Sequence, residues 1–134
     1  MLAKRLSPGL PPGIVGIVYT AGHPNDAVKT FLRFCVEAGA RIFHYGDLDP
    51  DGLLIAQEIA AILAVAVAPW NMSVELHRRY AAYGYALDRT QTARLSLVAE
   101  SAPRELRELA KEIGRTGIGV EQEIIDPGTG SGRP

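Results

Sequence analysis

Three short segments in the first half of the chain have the composition of strands. They are IVGIVYT at 14–20, RIFHY at 41–45 and VAVAP at 65–69. Branched apolar residues next to a bounding glycine or proline are typical of strands. The continuous apolar run before Pro69 is typical of a parallel strand that is covered on both faces. The pattern therefore predicts three buried or half-buried strands.

Helical periodicity fills the intervals between these strands. Apolar residues recur at helical spacing from Val28 to Val36, after the helix-starting residues 24–26 and before Gly39, which is expected to end the helix. LLIAQEIAAILA at 53–64 is apolar almost all round, which predicts a buried helix. The β-α-β-α-β order predicts an α/β fold with a parallel sheet flanked by helices.

Three further helices are predicted in the second half of the chain. Ser73 caps the first, residues 90–99 form the second, and the third opens at Ser101 and Pro103 and closes at Gly114. The residues expected on their buried faces are Leu76, Tyr80 and Tyr83 in the first and Leu106, Leu109, Ala110 and Ile113 in the third.

Composition narrows the class of protein. The chain has 134 residues, enough for one ordinary domain, and its 47% hydrophobic and 22% charged residues are typical of a globular protein. No apolar run approaches the roughly 20 residues that cross a bilayer. Cys35 is the only cysteine, which excludes a disulfide framework. We expect a cytoplasmic protein with an irregular lead-in at 1–13, one α/β domain at 14–126 and a disordered tail at 127–134.

Negative charge is concentrated in one loop although the net charge is only −1. That net charge argues against a protein that coats nucleic acid through bulk charge. The acidic residues Asp47, Asp49, Asp51 and Glu58 stand together without an intervening basic residue. Three carboxylates within five residues repel one another unless a cation or protons neutralise them. The loop at 46–52 is therefore a candidate site for Mg²⁺, Mn²⁺ or Ca²⁺.

Three other interpretations of this loop are open. Asp-Pro-Asp-Gly at 49–52 is good turn chemistry on its own, so the loop can be a solvated turn. Together with Glu58, the loop also matches the calcium pattern of an EF-hand, although the segment before it is strand-like and the helix after it looks continuous. A phosphatase of the haloacid dehalogenase type would use Asp47 as nucleophile and Asp49 as acid–base, but it favours a Ser or Thr soon afterwards.

Two motifs resemble a known family. HYGDLDPDGLLIA at 44–56 resembles the aspartate motif of Toprim domains, the metal-binding fold of topoisomerases, primases and some nucleases. VYTAGHPNDAVKTFLRF at 18–34 resembles the strand, Gly-x-Pro turn and helix that precede this motif in the branch of the topoisomerase VI A subunit. With the later GVEQEII at 119–125, the motif is more specifically similar to the C-terminal domain of JetD, the nuclease subunit of Wadjet defence systems, and its relatives.

The resemblance implies a Toprim-like, Rossmann-like fold and metal-dependent cleavage of DNA phosphodiesters. On this basis Asp47 and Asp49 are catalytic and bind Mg²⁺ or Mn²⁺, with Asp51 as an assisting ligand. A complete Toprim site also has a glutamate at the end of an earlier strand. The first strand of this chain aligns with the second Toprim strand, so we expect that strand and its glutamate to be missing. Glu121 or Glu123 can supply a late carboxylate, and a solvated strand edge is the alternative for both.

Two histidines and several partners complete the hypothesis. His44, at the end of a strand, and His23, in the Gly-x-Pro loop, can contact substrate, with a structural hydrogen bond and simple loop exposure as the alternatives. The resemblance implies DNA, an SMC-type complex and a second copy of the chain as partners, and no membrane. The chain alone is expected to be weakly active or inactive. The competing hypothesis is a degenerate, non-catalytic α/β module for protein–protein contact.

Basic residues in the second half of the chain are weaker candidates for DNA contacts. His77 is expected on a helix surface beside Arg78 and Arg79. These two arginines, with Arg89 and Arg94, can contact DNA phosphates, and a solvated helix face is the alternative.

Overall fold

Helices form most of the structure, which is a computed structural model describing residues 13–125. The helices are α1 (Asp26–Glu37), α2 (Pro50–Leu63), α3 (Val74–Tyr80), α4 (Arg89–Arg94) and α5 (Arg104–Thr116). Short 3₁₀ turns lie at Ala81–Tyr83, Leu95–Leu97 and Gln122–Ile124. The strands are β1 (Ile42–His44), β2 (Val67–Pro69), β3 (Tyr85–Ala86) and β4 (Ile118–Gly119). Residues 1–12 of the expected lead-in at 1–13, and the whole expected tail at 127–134, lie outside the described residues.

The strands form two separate two-stranded sheets. β1 and β2 pair in parallel, with Ile42 opposite Val67 and His44 opposite Pro69. Helix α2 connects them, as a β-α-β unit requires. β3 and β4 pair antiparallel. A mixed α/β structure is thus confirmed, but within residues 13–125 the parallel sheet has two strands, not the three that were predicted.

The strand predicted at 14–20 is wrong. These residues form neither strand nor helix, and Val15 and Tyr19 are 97% and 81% exposed. A β-branched composition favours a strand only where another strand supplies hydrogen bonds and covers one face. No strand of the described part of the chain pairs with this segment.

Local signals set the starts of the first two helices. The Asn25 side chain accepts a hydrogen bond from Val28 N at 3.0 Å and caps α1. Helix α2 begins at Pro50, earlier than the apolar pattern predicted, because Asp49 caps it and a proline is well suited to the first turn. Asp-Pro-Asp-Gly is therefore a helix start and not a free turn.

The second half departs from the predictions at three points. Tyr83 lies in a 3₁₀ turn and is exposed, so it does not share the buried face with Leu76 and Tyr80. The helix predicted at 90–99 is divided into α4 and a 3₁₀ turn. Helix α5 continues to Thr116 and is ended by Gly117, whose φ of +65° is the left-handed conformation that favours glycine.

His77 is fully buried, so its predicted surface position is wrong. Its Nε2 donates to the Ile118 carbonyl oxygen at 2.8 Å. The reason is that α3 packs against α5 and so turns this side of the helix towards the β4 backbone. A buried imidazole that satisfies a strand carbonyl has a structural role.

Two clusters of buried side chains cover the two faces of α2. The major core cluster consists of Leu48, Leu53, Ala56, Met72, Leu106, Leu109, Ala110, Ile113, Val120 and Ile125. The minor core cluster consists of Leu32, Ile55, Ile59, Leu63 and Val67. This arrangement explains why α2 is apolar almost all round. Although α2 is so apolar, no helix in the described residues is long and apolar enough to cross a membrane.

Candidate functional site

The acidic loop opens into a cavity of about 300 Å³ between β1, α2 and the C-terminal 3₁₀ turn. The candidate residues that line this cavity are His23, His44, Asp47, Asp49, Asp51 and Glu123. The structure therefore brings all six together, and it does so at the C-terminal end of β1. In parallel sheets this end is where ligands bind.

Two backbone hydrogen bonds join the acidic loop to the C-terminal segment. Leu48 N donates to Val120 O at 2.8 Å, and Val120 N donates to Leu48 O at 3.1 Å. Both side chains are fully buried in the major core cluster. This bridge sets the register of the following residues, so that Gln122 N donates to Asp47 Oδ1 at 2.8 Å.

Asp47 lies among other carboxylates. Burial raises the pKa of Asp47 above the usual range, and the negative charges of Asp49, Glu123 and Glu121 raise it further. The hydrogen bond from Gln122 N acts in the opposite direction. Negative charge is therefore concentrated at this end of the cavity, and a bound cation would relieve the repulsion.

Asp49 has protein donors on both of its carboxylate oxygens. It is 7% exposed, and its Oδ1 accepts from Gly52 N at 2.7 Å as the cap of α2. Its Oδ2 accepts from the Tyr85 hydroxyl at 2.5 Å. Burial and the bond to Asp49 raise the pKa of Tyr85, so the phenol stays protonated and remains a donor. Each carboxylate oxygen has a second lone pair, so these bonds orient Asp49 without excluding a cation.

His44 and Gly52 hold the loop against the start of α2. The His44 Nε2 donates to Gly52 O at 3.1 Å, and burial lowers the pKa of His44, which keeps the ring neutral at pH 7. A Cβ on Gly52 would lie 1.9 Å from the carbonyl oxygen of Asp47, so only glycine fits at this position. The geometry of His44 is that of a structural hydrogen bond.

Glu58 holds the loop that carries His23. The His23 Nδ1 lies 2.5 Å from Glu58 Oε2, and the Lys29 ammonium lies 3.5 Å from Glu58 Oε1. The hydrogen bond to His23 lowers the pKa of Glu58. The EF-hand interpretation is wrong, because α2 runs unbroken from Pro50 and keeps both Asp51 and Glu58 within a helix.

Three of the four arginines that were considered as phosphate contacts are paired with carboxylates. The Arg78 Nε donates to Glu112 Oε1 at 2.9 Å, and the Arg79 Nη2 donates to Glu75 Oε1 at 3.0 Å. Arg94 forms an ion pair with Asp51. These pairs balance charge within the chain.

Comparison with known proteins assigns the family. Residues 1–127 match the family described as "Protein of unknown function C-terminus" (DUF2399). The chain belongs to this family. It is also 29% identical over 113 residues to the Wadjet protein JetD of Bacillus cereus (strain Q1). That match covers 81% of this chain and 28% of JetD, so the chain spans less than a third of its relative. No solved structure matches.

The donor atoms of this DUF2399 domain suit a hard divalent cation only in part. The carboxylates of Asp47, Asp49 and Glu123 line one cavity, and oxygen ligands are those that Mg²⁺ and Mn²⁺ prefer. Asp51 fits less well because Arg94 neutralises it. Within residues 13–125, no three His, Cys, Asp or Glu side chains are arranged closely enough to hold a metal ion as they stand.

Two contributors to the site, Gln122 and Tyr85, were missed by the sequence analysis. Both contacts are long-range, because Gln122 lies 75 residues after Asp47 and Tyr85 lies 36 residues after Asp49. The local signals were two glycines, Gly84 next to Tyr85 and Gly119 in the EQE-containing segment. A glycine in a strand indicates that another part of the chain approaches the backbone closely, but it does not identify that part.

Proposed function

We propose that Asp47 and Asp49, assisted by Glu123, bind Mg²⁺ or Mn²⁺. The observation that carries this proposal is the cavity in which the pKa of Asp47 is raised by burial and by neighbouring carboxylates. A partly buried carboxylate beside others of the same charge is unfavourable unless a cation or a proton joins it. An approach of Glu123 towards Asp47 on binding would complete a three-carboxylate site.

We further propose that the chain is the Toprim-like part of a DNA-cleaving subunit in a Wadjet-like plasmid-defence system. The similarity to the Wadjet protein JetD supports the defence role. The acidic loop after β1, followed by α2 and the parallel β2, supports the Toprim-like assignment. DNA, an SMC-type complex and a second copy of the chain are the proposed partners.

Each residue of the site has a separate role in the proposed function. When bound, a divalent cation positions a phosphate and lowers the pKa of a water molecule. Asp47 and Asp49 would hold the cation at the C-terminal end of β1. The neutral His44 would keep their loop in place through its hydrogen bond to Gly52 O. His23, whose side chain is 50% exposed at the edge of the cavity, is the proposed contact to a DNA phosphate.

A non-catalytic interaction module is the second candidate. The observation that favours it is that each oxygen of Asp49 already accepts a hydrogen bond from a protein donor, as expected of a carboxylate that caps α2. On this account the carboxylates stabilise the loop through their hydrogen bonds to Gly52 and Gln122.

The proposed site is tested by titrating the chain with Mn²⁺ while free Mn²⁺ is followed by electron paramagnetic resonance. We expect one saturable site in the wild type, and its loss in Asp47→Asn and in Asp49→Asn. The matched control is Glu100→Gln, which removes an exposed carboxylate elsewhere and should bind as the wild type does. Equal binding by the double variant Asp47→Asn/Asp49→Asn and the wild type would contradict the proposed site.

The reaction is tested separately on supercoiled plasmid DNA. If the chain is part of a nuclease, we expect metal-dependent nicking of the plasmid. We also expect Asp47→Asn to abolish that nicking. Saturable Mn²⁺ binding without any nicking, by the chain and by longer proteins that contain it, would favour the interaction module.

A further inference from the structure

Tyr85 contacts the proposed site from outside the β-α-β unit. Its hydroxyl donates to Asp49 Oδ2 at 2.5 Å, while the main chain at Gly52 donates to Oδ1 at 2.7 Å. The two donors belong to different parts of the fold, since Tyr85 is in β3 and Gly52 is in α2. Together they leave the carboxylate of Asp49 one orientation.

Glycines in the ribbon of β3 and β4 make this contact possible. Tyr85 pairs with Gly119, and a Cβ on Gly119 would lie 2.7 Å from Cζ of the Tyr85 ring. A Cβ on Gly84 would lie 2.3 Å from the carbonyl oxygen of Gly119. The phenol therefore lies directly against the β4 backbone. Val120, which follows Gly119, forms the backbone bridge to Leu48. The same ribbon therefore fixes the position of Tyr85 relative to the acidic loop.

We propose that Tyr85 is a positioning residue for metal binding at this site. By holding Oδ2, it prevents the Asp49 carboxylate from rotating about its bond to Cβ, and the remaining lone pairs stay directed into the cavity. Hydrogen bonds to a ligating carboxylate orient it, and their loss commonly weakens metal binding about 10- to 100-fold. This inference rests on the proposed metal site.

A structural role for Tyr85 makes a different prediction from a positioning role. Without the hydroxyl, the bond from Gly52 N still caps α2, and the phenyl ring can still pack on Gly119. The fold should therefore persist in Tyr85→Phe while the carboxylate gains freedom to rotate. Metal affinity, and not helix content, is the property that separates the two roles.

The experiment is Mn²⁺ titration of the full chain carrying Tyr85→Phe, followed by electron paramagnetic resonance. Circular dichroism and the thermal midpoint are measured on the same samples. We expect an affinity about 10- to 100-fold weaker than that of the wild type, with the circular dichroism spectrum unchanged. The control is Tyr83→Phe, which removes an exposed hydroxyl two residues away and should bind Mn²⁺ as tightly as the wild type does.

The outcomes separate this inference from the proposed function. If the wild type does not bind Mn²⁺, the proposed site fails. If the wild type binds, Asp49→Asn does not, and Tyr85→Phe binds within twofold of the wild type or more tightly, only the role of Tyr85 is overturned.

A second measurement applies if Tyr85→Phe does not fold. In the unaltered chain with ¹³C-labelled tyrosine, substoichiometric Mn²⁺ should broaden the Cζ resonance of Tyr85 before that of Tyr83. Equal broadening of the two would overturn the inference, because Tyr85 would not be next to the bound ion.

Discussion

The two core clusters on either side of α2 differ in how deeply they are buried. In the major core cluster every side chain except that of Ala110, which is 9% exposed, is at most 2% exposed. In the minor core cluster the exposed fraction runs from 3% at Val67 to 9% at Ile55. The major cluster includes the Leu48 side of the acidic loop, whereas the minor cluster supports α1 and the parallel strands.

This difference extends to the two sides of the cavity. Asp47 and Asp49 are held by hydrogen bonds from Gln122, Gly52 and Tyr85, which adjoin the major cluster. The other side is held by the exposed contact of His23 with Glu58, and exposed ion pairs contribute little to stability. Carboxylates of like charge repel one another. Holding them close together therefore requires the better-packed side of the cavity.

The largest expected effect comes from truncating one leucine in each cluster. Leu109→Ala should lower the free energy of unfolding by about 4 kcal/mol, because it opens a cavity where no solvent reaches. Leu32→Ala, at a site that is 8% exposed, should lower it by only about 2 kcal/mol. Urea denaturation followed by circular dichroism measures both. Equal losses would remove the distinction between the clusters.

Gly52→Ala tests how closely the acidic loop approaches α2. The new Cβ would lie 1.9 Å from a backbone oxygen, so we expect a loss of about 3 kcal/mol of unfolding free energy. The control is Gly114→Ala in α5, whose Cβ would meet only Leu95 Cδ1 at 3.5 Å. That change should stabilise the chain by up to about 1 kcal/mol, as alanine does in a helix. Stabilisation by both substitutions would show that the loop does not pack as described.

Asp47→Asn should stabilise the metal-free chain at neutral pH by less than about 1 kcal/mol, since the side chain is only partly buried. The raised pKa of Asp47 means that the folded chain binds this proton more tightly than the unfolded chain. Between the ordinary carboxyl pKa and that raised value, stability therefore falls as pH rises. Thermal midpoints of the wild type and the variant against pH should diverge over this window, and a destabilised Asp47→Asn would contradict the account.

Glu58→Gln should have the smallest effect, below about 0.5 kcal/mol, because the pair with His23 is exposed. The pKa of Glu58 is lowered in the folded chain, so its contribution is present above the ordinary glutamate pKa and is lost as pH falls through the folded value. Urea titrations at pH 7 and in acid measure it, with Glu75→Gln as a control exposed pair. A loss above about 2 kcal/mol would mean that this side of the cavity is as firmly held as the other.

Elements with strong local signals could be predicted from the sequence. Ser73 caps its helix as expected, and Asn25, one of the residues expected to start α1, caps that helix. The buried helix before the parallel β2 is determined by its own apolar pattern. Residues 14–20 have an equally clear strand composition. Whether they pair depends on a neighbouring strand, which local composition does not specify.

The same contrast applies within the candidate site. The acidic loop stands out because its residues are adjacent in sequence and because repulsion among carboxylates is a local property. The partners that orient it, Gln122 and Tyr85, reach it through a ribbon of two-residue strands and a single backbone bridge. Elements this short have no periodicity to recognise, so their register could not be predicted.

The most direct test of the central claim is the anomalous diffraction of a crystal of the chain grown with Mn²⁺. The account predicts one strong anomalous peak within coordinating distance of the carboxylates of Asp47 and Asp49, with Glu123 beside it and the Tyr85 hydroxyl still on Asp49. A cavity without anomalous density at Mn²⁺ concentrations that saturate the solution titration would contradict it.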